Sequence, residues 1–171
     1  MHTTSDEMES GTPMSKEHVA TYLNHHLAGS IVVLEILQHL EAEAADLAPH
    51  IAKLRTEIEV DHRDLKLLMH RLGISESRIR KVSGWIAEQL TEVALEVDDE
   101  SRGALRRLER LEAVAIGIDG KLALWRALKA AAEVEPELRG PAFEDLSKRA
   151  EEQRRQVEVF RLEAASSALR L

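Results

Sequence analysis

The strongest constraint on this chain is where it can stop being a helix. Its four prolines stand at positions 13, 49, 136 and 141, so the long stretches between them lack the most effective helix breaker. Proline ends a helix because it has no N–H to donate and its ring clashes with the preceding turn. Leu, Ala, Glu and Arg dominate those stretches, and aromatic residues, which favour strands, make up only 3% of the chain. The sequence therefore predicts an all-α protein.

Apolar periodicity and breakers divide the chain into segments. Residues 1–14 are polar and acidic and contain a Gly-Thr-Pro breaker, which predicts a disordered tail. Residues 15–171 then form a single helical-bundle domain, with enough apolar side chains for one core. Ser15 caps a first helix that continues to about Asp46, with Val19, Leu23, His26, Ser30, Val33, Leu37 and Leu40 among its apolar-stripe positions. Pro49 opens a second helix, whose seam of Ile51, Leu54, Ile58, Asp61, Leu65 and Leu68 contains one acid, and Gly73 closes it. A shorter amphipathic helix is expected over residues 75–96, followed by the loop VDDESRG. The next helix runs from about Arg102 to Val134 on a stripe of Leu105, Leu108, Glu112, Ala115, Asp119 and Leu122, with a flank of Val114, Ile118, Trp125 and Leu128. Gly117 and Gly120 on this helix are expected to admit a neighbouring backbone. The last helix covers about 142–170, with Gln153 on its inward face.

Several functional classes are excluded at this level. Without cysteine there is no disulfide scaffold, no thiolate zinc site and no thiol nucleophile. A net charge of −8 argues against nucleic acid as a partner, and the scarcity of aromatics argues against base stacking. The longest apolar stretch, LAGSIVVLEILQHL, is interrupted by Glu35, Gln38 and His39, so no membrane span is expected. No leader is apparent, and a soluble protein of a bacterial-type cytoplasm is the expectation.

Short loops make the first and last helix pairs antiparallel hairpins. Between them lie about 29 residues, enough for a helix of about 20 residues that travels about 30 Å back along the bundle. Counting from the first loop, Glu35 comes level with His62 and Gln38 with Glu59. Glu59-Val-Asp-His62 is a Glu-x-x-His, which puts a carboxylate and an imidazole one turn apart. In helix order, spacing and this motif the chain resembles the ferritin-like superfamily of di-iron carboxylate proteins over residues 16–170. The resemblance implies a four-helix bundle of two antiparallel hairpins with an extra helix in the crossover; a plain up-down five-helix arrangement is the alternative. Carried over position by position, it makes Glu35, Glu59, His62 and Glu112 ligands for iron or manganese. All eight histidines lie within the first 70 residues, so the second Glu-x-x-His is missing and such a site would be asymmetric.

The second hairpin supports a structural reading of the same polar residues. Counting from its loop, Glu112 faces Arg161 and Asp119 faces Arg154, two matched ion pairs expected to lie in the core and fix helix register. The expected function is accordingly a non-catalytic bundle without a resident cofactor, held by Glu/Asp–Arg/His pairs. It is expected to be a homodimer, because the first and third bundle helices are apolar over much of their girth. The alternatives are the asymmetric iron or manganese site, with ferrous oxidation or peroxide handling as the implied activity, and a protein-interaction adaptor using Arg78, Arg80 and Lys81.

Overall fold

A computed structural model describes residues 13–76 and 103–170, and the regular structure of these residues is entirely helical. Helix α1 is Pro13–Glu43, α2 is Ala48–Arg71, α3 is Gly103–Val134 and α4 is Phe143–Ala168; a 3-10 turn, Pro136–Leu138, precedes α4. Residues 77–102, which hold most of the expected 75–96 helix with Arg78, Arg80 and Lys81 and most of its loop, lie outside the described residues, as do the first twelve residues and Leu171. No helix among the described residues is long and apolar enough to cross a membrane.

The helix ends follow local chemistry. Helix α1 begins at Pro13 rather than Ser15, where a fixed φ suits the first turn. Pro49 occupies the first turn of α2 for the same reason. At the other end of α2, Gly73 adopts a φ of +63°, which a residue with a Cβ rarely takes. Its N–H donates to the His70 carbonyl at 3.0 Å and the Ile74 N–H to the Met69 carbonyl at 2.9 Å, the Schellman closure. Glu144 and Asp145 lie in the first turn of α4, where negative charge complements the helix dipole.

Cross-helix contacts define the course of the chain. Partners of α3 and α4 descend in opposite order, Glu112 with Arg161, Asp119 with Arg154 and Arg126 with Glu151, so this hairpin is antiparallel. Ser30 with His62 and Glu41 with Arg55 show the same for α1 and α2. Glu43 meets Arg110, and Val33 abuts Gly117, so α3 also opposes α1. Helices α2 and α3 therefore run in the same direction. The chain leaves α2 where Arg71 reaches the Leu138 carbonyl at 3.4 Å, beyond the end of α3. It re-enters at the opposite end, where Arg107 pairs with Asp46 of the α1–α2 loop at 3.1 Å.

The core is built from Leu27, Leu37, Ile51, Leu54, Leu111 and Trp125, all essentially inaccessible, together with their neighbours on the four helices. The breadth of apolar surface on α1 is covered within one chain: Val32, Val33 and Ile36 are all buried. Helix α3 differs from expectation. Its buried arc centres on Leu111, Val114, Ile118, Trp125 and Leu128, whereas Leu105, Glu112 and Asp119 face outward. A seven-residue repeat drifts about 20° per heptad on a straight helix. On a helix with two apolar flanks, that repeat followed the wrong one.

The two α3 glycines also separate. A Cβ at Gly117 would overlap a γ-methyl of Val33, so this glycine is what lets α1 and α3 approach. A Cβ at Gly120 would meet no atom of the described residues within 4 Å, so close packing among them does not account for it. Val33 is β-branched and stiff in a helix and cannot swing aside cheaply. Gly117→Ala is thus expected to lower stability by about 1–3 kcal/mol. Gly120→Ala should raise it by about 1 kcal/mol through helix propensity. Thermal melts of the two variants test the contrast.

Candidate functional site

Three helical faces converge at mid-bundle. His26, Gly29, Ser30 and Val33 follow i, i+3, i+4, i+7 spacing on α1, and Ile58, Asp61, His62 and Leu65 repeat it on α2. Gly117, Gly120, Lys121 and Leu124 face them from α3, with Trp125 beside them. Together these residues line a cavity of about 150 Å³, open in part to solvent, whose walls are mostly apolar. Glycine is the reason the space is open. At both Gly29 and Gly120 an added Cβ would meet no atom of the described residues within 4 Å. Each helical glycine costs about 1 kcal/mol relative to alanine, so two such positions facing one cavity sacrifice stability without a packing return.

The cavity borders a buried charge cluster. Asp61, with 1% of its side chain exposed, accepts hydrogen bonds from Lys121 of α3 and, at 3.1 Å, from Gln153 Nε2 of α4. The Lys121 ammonium also donates to Gln153 Oε1. On the other side, the Arg149 guanidinium stands 2.6 Å from Asp61 Oδ1 and 2.6 Å from Asp64 Oδ2. Two cations thus oppose two carboxylates. Burial pushes the Lys121 pKa down, and the Asp61 charge opposes that shift.

Three histidines line the cavity, His25 at its exposed rim and His26 and His62 further in. Burial lowers the His26 pKa, helped by neighbouring His25. Burial also lowers that of His62, helped by Lys66 and Arg63 and opposed by Glu76. His62 Nδ1 lies 2.7 Å from Ser30 Oγ, and Ser30 Oγ lies 2.6 Å from the Leu27 carbonyl. A hydroxyl has one proton, and a carbonyl can only accept it. Ser30 therefore donates to Leu27 and accepts from His62 Nδ1–H, which leaves Nε2 as the acceptor of a neutral ring. Trp125 is 1% exposed, and its indole Nε1–H has no hydrogen-bond partner among the described residues.

The structure does not gather the four residues read as metal ligands. Glu35 is exposed on α1, Glu59 pairs with Arg55 at 2.6 Å, His62 bonds Ser30, and Glu112 faces Arg161. Among the described residues, no three His, Asp or Glu side chains converge where they could hold a metal ion. The difference lies in register. Ser30, not Glu35, meets His62, and five residues turn a helix by about 140° beyond a full turn.

Arg154 stands 3.2 Å from Asp119, and Arg161 stands 3.4 Å from Glu112. Both pairs lie at the solvent edge rather than in the core, with the acid side chains 55% and 47% exposed. Pairs of this kind contribute about 0–1 kcal/mol, not the larger effect expected of buried ones. Both arginines also bond Glu158, at 2.7 Å and 2.6 Å, and these bonds hold its carboxyl down at about 2. Glu158 was absent from the sequence reading, although its spacing of three and four from the arginines on one helix is a sequence signal. Lys121 was missed as the partner of Asp61 because the α3 stripe was drawn through Asp119.

Removing Asp61 takes from Lys121 its paired carboxylate and leaves Arg149 with Asp64 alone, whereas removing Lys121 leaves Asp61 with Arg149 and Gln153. Asp61→Leu should therefore lose about 3–5 kcal/mol and Lys121→Met clearly less, with the double variant recovering part of the loss, as chemical denaturation will show. His26 and His62 give a pH test. Their folded pKa values lie below the unfolded value of about 6.5, so protonation favours the unfolded chain. Stability contributed by the neutral rings is present above about pH 6.5 and is lost as pH falls through the folded values. The melting temperature should drop from pH 7 to pH 5, and a His26→Gln/His62→Gln variant should show a shallower drop.

Neither a protein-family model, a curated protein nor a solved structure matches the chain, so the reading of the site rests on its own geometry.

Proposed function

We propose that the protein is a non-catalytic helical bundle that holds a small, largely apolar molecule in the cavity between α1, α2 and α3. The observation that carries this reading is the pair of helical glycines, Gly29 and Gly120, both facing open space on one cavity. Both are half-buried, and a helical position with room for a methyl group is ordinarily better served by alanine than by glycine. A cavity of this volume with apolar walls is large enough for a single aromatic ring.

The charges beside the cavity support binding over catalysis. Lys121 is engaged by Asp61 and Gln153, and Arg149 by Asp61 and Asp64, so no amine or carboxylate is held in reserve. Ser30 and His62 have the spacing of a nucleophile and a base, yet the Ser30 proton points to the Leu27 carbonyl. The surrounding helical N–H groups belong to the α1 ladder and offer no oxyanion site. For the fold we infer a divergent ferritin-like bundle. Two antiparallel hairpins, with α2 and α3 running in the same direction, support it, as does the Glu-x-x-His at Glu59 and His62.

Calorimetric titration with toluene tests the binding reading. The wild-type chain should bind with a Kd on the order of 0.1–1 mM, as expected for seven heavy atoms. Gly120→Leu should fill the space and remove binding while the chain still melts cooperatively. Absence of binding to the wild type, or unchanged binding to the folded variant, would overturn the reading.

A further inference from the structure

We infer that the ligand is a neutral, ring-sized molecule with a group that both donates and accepts a hydrogen bond (a phenol, a small alcohol or a primary amide), held between the His62 imidazole and the Trp125 indole. The inference rests on the binding reading above and adds the chemistry of the occupant.

Charge is the first constraint. The ionic groups at the cavity are balanced among themselves, Lys121 and Arg149 against Asp61 and Asp64. A charged ligand would give up its hydration and find no unsatisfied counter-charge. The His26 and His62 imidazoles add none, because burial favours their neutral form.

Hydrogen bonding is the second. The Ser30 hydroxyl, committed to Leu27, fixes His62 as the Nδ1–H tautomer, so the ring presents an acceptor at Nε2. On the facing helix, Trp125 brings a donor that no atom of the described residues satisfies, although the side chain is 1% exposed. A buried indole N–H nearly always finds an acceptor. Two side chains that line the cavity thus offer one free acceptor and one unmatched donor. A hydroxyl meets both at once; a hydrocarbon meets neither, and a carboxylate lacks the proton.

Titration of the wild-type chain with toluene, phenol and benzoate decides the matter. Phenol should bind about tenfold more tightly than toluene, the worth of roughly one net hydrogen bond, and benzoate should bind more weakly than phenol. Trp125→Phe and His62→Leu, each checked by its melting curve, should remove most of the phenol advantage and leave toluene within about twofold. Nitrogen NMR of His62 in the unmodified chain should report the Nδ1–H tautomer. Toluene binding without a phenol advantage overturns this inference and leaves the binding reading intact. So does benzoate binding as tightly as phenol, or an Nε2–H tautomer. Failure of all three compounds to bind overturns both.

Discussion

The carboxylate of Asp61 is the point at which the hairpins are tied together. It sits on α2, almost wholly buried, and binds Lys121 of α3 and both Gln153 and Arg149 of α4. An ionised acid at such depth is tolerable only when donors reach it and its charge is matched. Three helices must therefore keep one relative height for the cluster to survive. The apolar core supplies the greater part of the driving force, but it is less particular, since a leucine slides against a leucine with little penalty. Asp61 does not slide.

The same cluster shapes the site. Because Lys121 turns inward to Asp61 and Gln153, its neighbouring turn on α3 presents Gly117, Gly120 and Leu124 to α1 and α2. Gly117 draws α1 close through Val33, while Gly120 leaves a gap one turn away. Contact and opening thus alternate along a single helix face. Gly29 doubles the opening from the α1 side. The polar edge of the cavity is then set by His62 and Trp125, one held in a single tautomer by Ser30 and the other left with an unmatched donor.

Much of the architecture was legible in the residues themselves. Breakers are local, so Pro49, Gly73 and the Glu135–Pro141 segment placed the helix ends close to where they lie. The seam of α2 named Asp61 as its one acid, and that of α4 named Gln153, because both helices have a single apolar arc. Helix α3 has two, and a stripe drawn by heptads chose the arc holding Glu112 and Asp119 over the one holding Leu111 and Ile118. Lys121 was hidden by that choice. His62 was singled out with Glu35 as its companion, but level along an axis differs from facing around it, and Ser30 holds the facing position. The cavity had no signal beyond its glycines, since empty space is a property of three helices at once.

The bonds that complete the site join distant parts of the chain: Asp61 and Lys121 are 60 residues apart, and Asp61 and Gln153 are 92 apart. Within each hairpin the contacts are far more local. Entropy of loop closure favours near neighbours, so the two halves of the bundle can assemble before they dock. Docking is the step that brings the α2 acid to its α3 and α4 partners. The pocket therefore comes into being only with the final seam of the molecule, and because His25 on its rim is exposed and Gly29, Ser30 and Gly120 are half-buried, a guest would enter from solvent with the halves still joined.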